Sequence, residues 1–335
     1  MQRQIAVLGD GGWGTALSIL LFQNGQRITL WSNFPDYAQE LRQRRENSKF
    51  LPGIPIPEEI TITSEPGAAL EGKELAVVAV PTQYLRAVLT KIARFYKEGL
   101  AIVSVAKGIE INTLLRPSQI INEILGSARV CVLSGPSHAE EVVGGLPTTI
   151  VVASEDEALA EEIQAIFTNE RFRVYTSPDV LGVELGGALK NVIALAAGIC
   201  EGLGFGDNAK AAILTRGLAE ITRLGVAMGA RARTFAGLSG IGDLITTCIS
   251  PYGRNRRAGM AIGQGKSLDE VLKATEMIAE GISTTKAARA LAKKYNVEMP
   301  ITEEIYKVLY EGKEPSQAAS DLMKRLPRSE VEELE

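Results

Sequence analysis

A glycine-rich run near the start of the chain constrains the fold more than any other feature. Gly9-Asp10-Gly11-Gly12-Trp13-Gly14 directly follows the apolar run Gln4–Leu8 and leads into a helical pattern from Thr15 to about Gln23, closed by Gly25. In a strand–turn–helix of this kind, one glycine makes the tight turn, one lets the backbone approach the pyrophosphate, and one lets helix and strand pack closely. The helix N-terminus then offers unpaired N–H groups and a positive dipole end to a pyrophosphate. Set between a strand and a helix, the run reads as a dinucleotide-binding turn.

The rest of the first half alternates strands with helices. Further strand candidates are Arg27–Trp31, Leu75–Val80, Ala101–Val105, Arg129–Leu133 and Thr149–Val152. Continuous apolar runs such as Ala76–Val80 suit strands buried on both faces, as in a parallel sheet built from βαβ units. From Pro178 onward the patterns are helical. A long helix starts near Ser177-Pro178 and runs to about Glu201, and a second covers about Ala209–Met228. Shorter ones follow at Gly240–Cys248, Arg256–Gln264, Leu268–Ala274, Ser283–Tyr295 and Ile301–Glu311. The expected fold is an α/β Rossmann-type dinucleotide-binding domain over residues 1–180, followed by an all-α domain over 181–335 that binds substrate. Glu330–Glu335 reads as a solvated acidic tail.

An acid at the end of the second strand normally bonds the ribose 2′-hydroxyl of NAD. Here the strand ends in Trp31-Ser32-Asn33-Phe34, with neither an acid nor an arginine. Ser32 and Asn33 can bond a hydroxyl or a 2′-phosphate, or simply begin a turn. The expected cofactor is NAD or NADP, with NADP favoured because no carboxylate repels the phosphate.

The segment Gly186-Gly187-Ala188-Leu189-Lys190-Asn191-Val192-Ile193-Ala194-Leu195 is apolar or small nearly all round, so its helix should be buried. A lysine there costs free energy unless it is paired, hydrated in a cleft or free to lose its proton. Burial lowers its pKa, and an amine tuned toward neutral pH exchanges a proton with an alcohol. Lys190 is the candidate acid–base. A lysine snorkelling along its stem is the ordinary alternative, which the adjacent Asn191 and the absence of other charges between Glu184 and Glu201 disfavour.

Lys107 follows the strand Ala101–Val105, where open α/β sheets bind ligands; an ordinary surface lysine after a strand is the alternative. Ser134-Gly135-Pro136-Ser137-His138-Ala139 follows the next strand in the same way. His138 is the only histidine, a poor basis for assigning acid–base work. Asp243 either caps the helix that follows it or pairs with Lys190. The loop Gly253-Arg254-Asn255-Arg256-Arg257 concentrates three arginines, whose planar forks suit phosphate. A solvated basic turn is the alternative. Cys131, Cys200 and Cys248 are far apart, and no metal site is expected. Cys248 reads as a packed residue. The net charge of -4 gives no nucleic-acid footprint. Neither a signal peptide nor a membrane span is visible, and a reducing, cytoplasmic setting is expected.

Taken together the chain resembles the bacterial-type NAD(P)-dependent glycerol-3-phosphate dehydrogenases over nearly its whole length. The resemblance rests on Gly9–Gly14 with Trp13, Ser104–Gly108, Ser134–Ser137, Gly187–Asn191, Gly202–Lys210, Asp243–Cys248 and Arg254–Arg256. It implies reversible reduction of dihydroxyacetone phosphate to glycerol 3-phosphate, feeding phospholipid synthesis, in a cytoplasmic, frequently dimeric enzyme. It implies that Lys190 is the proton acceptor and that Lys107, Gly135, Ser137, Asp243, Gly253, Arg254 and Asn255 line the substrate pocket. For the cofactor it implies Gly12, Trp13, Ser32, Asn33, Lys107, Ala139, Arg254, Ile278 and Glu280. The chain departs from the family at Ser32-Asn33, where a basic or histidine residue is common, and at Gly253, where serine is common. A β-hydroxyacid or 6-phosphogluconate-type dehydrogenase also uses a helical lysine and is the rival reading. A silent dinucleotide sensor would leave Lys190 and Asp243 unexplained.

Overall fold

In the computed structural model, residues 2–126, 128–274, 279–327 and 329 are described. Ile278 and the run Glu330–Glu335 lie outside them. The chain divides into two compact units, one of Met1–Ala106 with Arg116–Val180, the other of Lys107–Leu115 with Leu181–Glu335. The short segment that carries Lys107 thus belongs with the helical unit, although its sequence lies inside the first half.

Among the described residues the first unit has ten strands: β1 (Gln4–Leu8), β2 (Arg27–Trp31), β3 (Glu46–Asn47), β4 (Leu51–Pro55), β5 (Thr61–Thr63), β6 (Leu75–Val78), β7 (Ala101–Ser104), β8 (Val130–Ser134), β9 (Thr148–Ala153) and β10 (Phe172–Ser177). Eight form one sheet in the order β10-β9-β8-β7-β6-β1-β2-β5, while β3 and β4 pair separately. β1 lies inside the sheet between β6 and β2, and Ile5, Ala6, Val7 and Leu8 have no exposed surface, as a strand covered on both faces requires.

The sheet is not wholly parallel. β8 pairs antiparallel with β9, with Leu133 opposite Val152. A parallel return must carry the chain back along the strand length, about 20 Å for six residues. The intervening helix, Ala139–Val143, has five residues and spans only about 7.5 Å. β9 and β10 do pair parallel, because the 11-residue helix Glu157–Phe167 makes the full return. The pattern of β10 hides it in the sequence: Phe172 and Val174 are buried while Arg173 and Tyr175 are exposed, so it alternates instead of reading as an apolar run.

The core of the second unit is the helix Val180–Gly202, in which every residue from Gly182 to Cys200 is buried. It starts at Val180 rather than at Ser177-Pro178, because Ser177 ends β10 and its hydroxyl accepts from the Asp179 N–H at 3.2 Å. By length and hydropathy it could cross a membrane, but 89% of its most apolar window is packed inside the protein. Glycines set how closely its neighbour approaches. A Cβ on Gly198 would strike the Arg256 carbonyl, and one on Gly259 would strike that of Leu195. The helix Arg254–Gly263 therefore packs backbone to backbone on Val180–Gly202. The helices Asp207–Ala227, Glu280–Lys294 and Pro300–Tyr310 complete the shell, and the short Ala232–Phe235 and Pro315–Met323 add to those expected from the sequence.

Candidate active site

In the first unit, the helix Gly12–Gln23 begins at Gly11, which is extended, has no capping side chain and has no acid in the first turn. Its first N–H groups are therefore left for a ligand. A Cβ on Gly9 would lie 2.5 Å from the Ala79 carbonyl oxygen, and Gly9 has φ +120°. A Cβ on Gly14 would collide with the Gly9 carbonyl, whereas one on Gly11 meets nothing within 4 Å. Gly9 and Gly14 thus serve the turn and the packing, and Gly11 faces open space at the helix end. These residues fit a bound pyrophosphate. Gly12 is equally tight, since a Cβ there would lie 2.7 Å from the Phe50 carbonyl oxygen. Trp13 packs partly buried against the sheet core.

At the end of β2, Ser32 is fully buried and donates to Asp10 Oδ2 at 2.5 Å while accepting from the Phe34 N–H at 3.1 Å. Burial raises the Asp10 carboxyl, and the Ser32 hydrogen bond opposes that rise. Asn33 is half-buried and accepts from Lys91 Nζ at 2.9 Å. After β8, Gly135 has φ +134° and its carbonyl accepts from the Ser137 hydroxyl at 3.0 Å. Ala139 opens the short helix that follows His138.

In the second unit the polar groups converge on Asp243. The Lys190 ammonium donates to Asp243 Oδ1 at 2.6 Å and to Thr247 Oγ1 at 2.5 Å. Lys107 donates to the other carboxylate oxygen at 2.8 Å. Asp243 and Lys190 are almost wholly buried, and Lys107 keeps some exposure. Burial lowers the Lys190 pKa to about 8; Asp243 opposes that fall, and the neighbouring Lys107 adds to it. The two ammonium groups hold the Asp243 carboxyl below the ordinary range in spite of its burial. One carboxylate shared by two lysines leaves a net positive charge, suited to an oxyanion. Asp243 opens the helix Asp243–Ile249 behind the π-turn Leu238–Gly242, which presents Asp243 and Thr247 on one face, four residues apart.

A second chain of hydrogen bonds supports this cluster. Asn191 Nδ2 donates to the Lys107 carbonyl at 3.1 Å, Asn255 Nδ2 donates to Asn191 Oδ1 at 2.8 Å, and Asn255 Oδ1 accepts from the Gly281 N–H at 2.9 Å. Both ends of the Asn255 amide are thereby engaged. Gly253 caps the helix Arg254–Gly263, and a Cβ there would lie 2.5 Å from the Thr247 carbonyl oxygen. The three arginines separate in role. Arg256 is held by Glu201, Arg254 is exposed at the helix start with no partner among the described residues, and Arg257 is exposed on the same helix. Glu280 is half-buried at the start of the helix Glu280–Lys294. The three cysteines are free and buried, and burial pushes Cys131 and Cys248 up to about 12, which makes them packed thiols. Sequence reasoning misses Thr247, the second acceptor for Lys190, although its four-residue spacing from Asp243 is a usable signal.

An anion-accepting helix end in one unit and a buried lysine–carboxylate cluster in the other fit one class: a dinucleotide-dependent dehydrogenase. The chain belongs to the NAD-dependent glycerol-3-phosphate dehydrogenase family, whose N-terminal model matches residues 4–160 and whose C-terminal model matches residues 179–320. It is 53% identical to the glycerol-3-phosphate dehydrogenase [NAD(P)+] of Moorella thermoacetica, covering 99% of both chains. It is likewise 53% identical to that of Geobacillus kaustophilus, covering 99% of this chain and 97% of the relative. The crystal structure of glycerol-3-phosphate dehydrogenase from Coxiella burnetii superposes with a TM-score of 0.94 at 37% identity, covering 97% of this chain and 99% of that one.

Proposed function

We propose that the protein catalyses the reversible reduction of dihydroxyacetone phosphate to sn-glycerol 3-phosphate with NADPH or NADH, supplying glycerol 3-phosphate for phospholipid synthesis. The observation that carries this reading is the buried Lys107–Asp243–Lys190 cluster, with Lys190 brought to about 8. When bound, the nicotinamide supplies hydride to the carbonyl carbon. Negative charge then builds on the carbonyl oxygen, and the Lys190 ammonium gives it a proton; in the oxidation direction the neutral amine takes that proton back. Asp243 and Thr247 fix the amine, and Lys107 adds a second positive charge facing the same carboxylate. Arg254, exposed and without a partner among the described residues, binds the substrate phosphate, with Gly253 and Asn255 beside it in the same unit. Gly9, Gly11, Gly12, Trp13 and Gly14 hold the pyrophosphate region of the coenzyme. Ser32, Asn33 and Ala139 of the same unit provide its other contacts.

A homodimer in the cytoplasm fits two further features. Ile241, Ile245 and Ile249, spaced four apart, are all exposed, as is Phe205, and an apolar stripe of this kind suits burial against a second copy. The three cysteines are buried thiols far apart in sequence, a pattern that suits a reducing compartment.

The test is to mix the purified protein with dihydroxyacetone phosphate and either NADH or NADPH and follow loss of coenzyme absorbance. Lys190→Ala should abolish turnover while coenzyme binding persists. Absence of oxidation by protein that demonstrably binds coenzyme discards this substrate and points to hydroxyacids instead.

A further inference from the structure

The end of β2 carries neither an acid nor an arginine, yet the fold brings a cation there from elsewhere. Lys91 lies in the last turn of the helix Thr82–Ile92, far from β2 in sequence. Its ammonium sits 2.9 Å from Asn33 Oδ1 and 5.4 Å from the centre of the Trp31 ring. It makes no ion pair among the described residues, and it is exposed. An ammonium has donors only, so it fixes the Asn33 amide with its oxygen toward Lys91 and its NH₂ group turned to other acceptors. That NH₂ donates to nothing among the described residues. Ser32 cannot substitute for it, because its one proton is directed to Asp10 and its oxygen accepts from Phe34. The donors left at this strand end are thus Asn33 Nδ2 and Lys91 Nζ.

We propose that Lys91, through its charge and through the orientation it imposes on Asn33, is the specificity-determining residue for a phosphate on the 2′ oxygen of the coenzyme's adenosine, and so favours NADPH over NADH. The inference rests on the dehydrogenase reading above. The strand end after β2 is where a Rossmann-type unit meets the adenosine ribose, with an acid there selecting the 2′-hydroxyl and a nearby cation accommodating the 2′-phosphate. The Asp10 carboxylate, inside the glycine turn, is buried and bound to Ser32, so it does not oppose the phosphate as a free acid at β2 would. The cation is supplied by a helix that follows β6, which explains why the local sequence shows no preference.

Lys91→Met keeps an apolar stem against Trp31 and removes the charge; Lys91→Arg keeps the charge. For dihydroxyacetone phosphate reduction, Lys91→Met should raise the KM for NADPH about ten-fold, the weight of one charge-assisted hydrogen bond. The KM for NADH and both kcat values should stay as in the parent, and Lys91→Arg should restore most of the NADPH preference. NADH kinetics also report that the variant is folded. In calorimetry, an adenosine carrying phosphates on its 2′ and 5′ oxygens should lose the same factor in Lys91→Met, while ADP should bind unchanged. An unaltered NADPH-to-NADH ratio together with unaltered binding of the 2′-phosphorylated nucleotide overturns the proposal and leaves the dehydrogenase reading intact. Should the parent protein fail to oxidise either coenzyme, the dehydrogenase reading falls, and the calorimetric comparison still decides the role of Lys91.

Discussion

Lys190 and Asp243 meet inside the helical unit with their charged atoms 2.6 Å apart and both side chains almost fully buried. Burial alone would strip the amine of its proton, and a lone carboxylate would lock the proton on. Asp243 is shared with Lys107, so its pull on Lys190 is divided, and the amine is left at about 8.

The pH dependence follows. Because burial lowers the folded pKa of Lys190, the neutral base is present above about 8 and the ammonium below it. The rate of glycerol 3-phosphate oxidation should therefore rise with pH to a plateau above this value, and that of dihydroxyacetone phosphate reduction should fall across the same range. Asp243→Asn removes the partner that raises Lys190 and should move both limbs to lower pH, with kcat down about 10²-fold or more, as for a displaced general acid. Profiles of kcat against pH for both proteins check this; coincident limbs would remove Lys190 from the acid–base role.

Asn255 acts through what it holds. It links Asn191, and through it the Lys107 carbonyl, to the Gly281 N–H. Asn255→Leu leaves two buried groups unsatisfied and should cost about 2–4 kcal/mol. It should also lower kcat, because Lys107 loses the support of its backbone. Asn255→Asp keeps the acceptor for Gly281 but places a carboxylate oxygen against Asn191 Oδ1, so it should not rescue. Urea melts combined with kinetics separate the two effects. A variant as stable and as active as the parent would mean the chain of amides is idle.

Gly259 and Gly198 set the contact between the Arg254–Gly263 and Val180–Gly202 helices, each facing the other helix's backbone. Gly259→Ala adds a single methyl yet must push the helices apart, and it should destabilise by about 1–3 kcal/mol despite alanine's better helix propensity. The same change at Gly206, where a Cβ meets nothing within 4 Å, serves as the control. Thermal unfolding of the two variants is the measurement, and equal midpoints would deny the close contact.

Much of this is legible in the residues. Gly9–Gly14 declares its strand, turn and helix because a glycine pattern and two periodicities agree within twenty-odd residues. Lys190 stands out because a single charge in an apolar helix has few inexpensive explanations. The direction of β9 is not legible, since it depends on the length of a connection and not on the strand's own composition. The split of the arginine loop is also hidden: Arg254, Arg256 and Arg257 are alike as residue types, and only the position of Glu201 shows that Arg256 is structural. Lys107 presents a similar difficulty, because it follows a sheet strand in sequence while belonging to the helical unit.

Glu220 lies away from this chemistry and governs stability instead. It is buried, and it accepts from the Ile301 N–H at 2.6 Å and from the Thr302 N–H and hydroxyl at 3.2 Å each, tying the Asp207–Ala227 helix to the start of Pro300–Tyr310. Burial raises its pKa from 4.5 to about 7, against the pull of those hydrogen bonds. The folded protein therefore keeps the Glu220 proton over a range where the unfolded chain has lost it. The contribution of Glu220 to stability should fall as pH rises from about 4.5 to about 7 and flatten above, by on the order of 3 kcal/mol if it acted alone. Most carboxylates work in the opposite sense, as Asp243 and Glu201 do, so the trend is isolated by difference. Glu220→Gln carries no titrating proton. The parent's unfolding free energy minus that of Glu220→Gln should therefore decrease steadily with pH across this window and be constant above it. Urea unfolding at closely spaced pH values measures that difference; two curves running parallel from pH 4.5 to 7 would mean Glu220 titrates like an exposed carboxylate in spite of its burial.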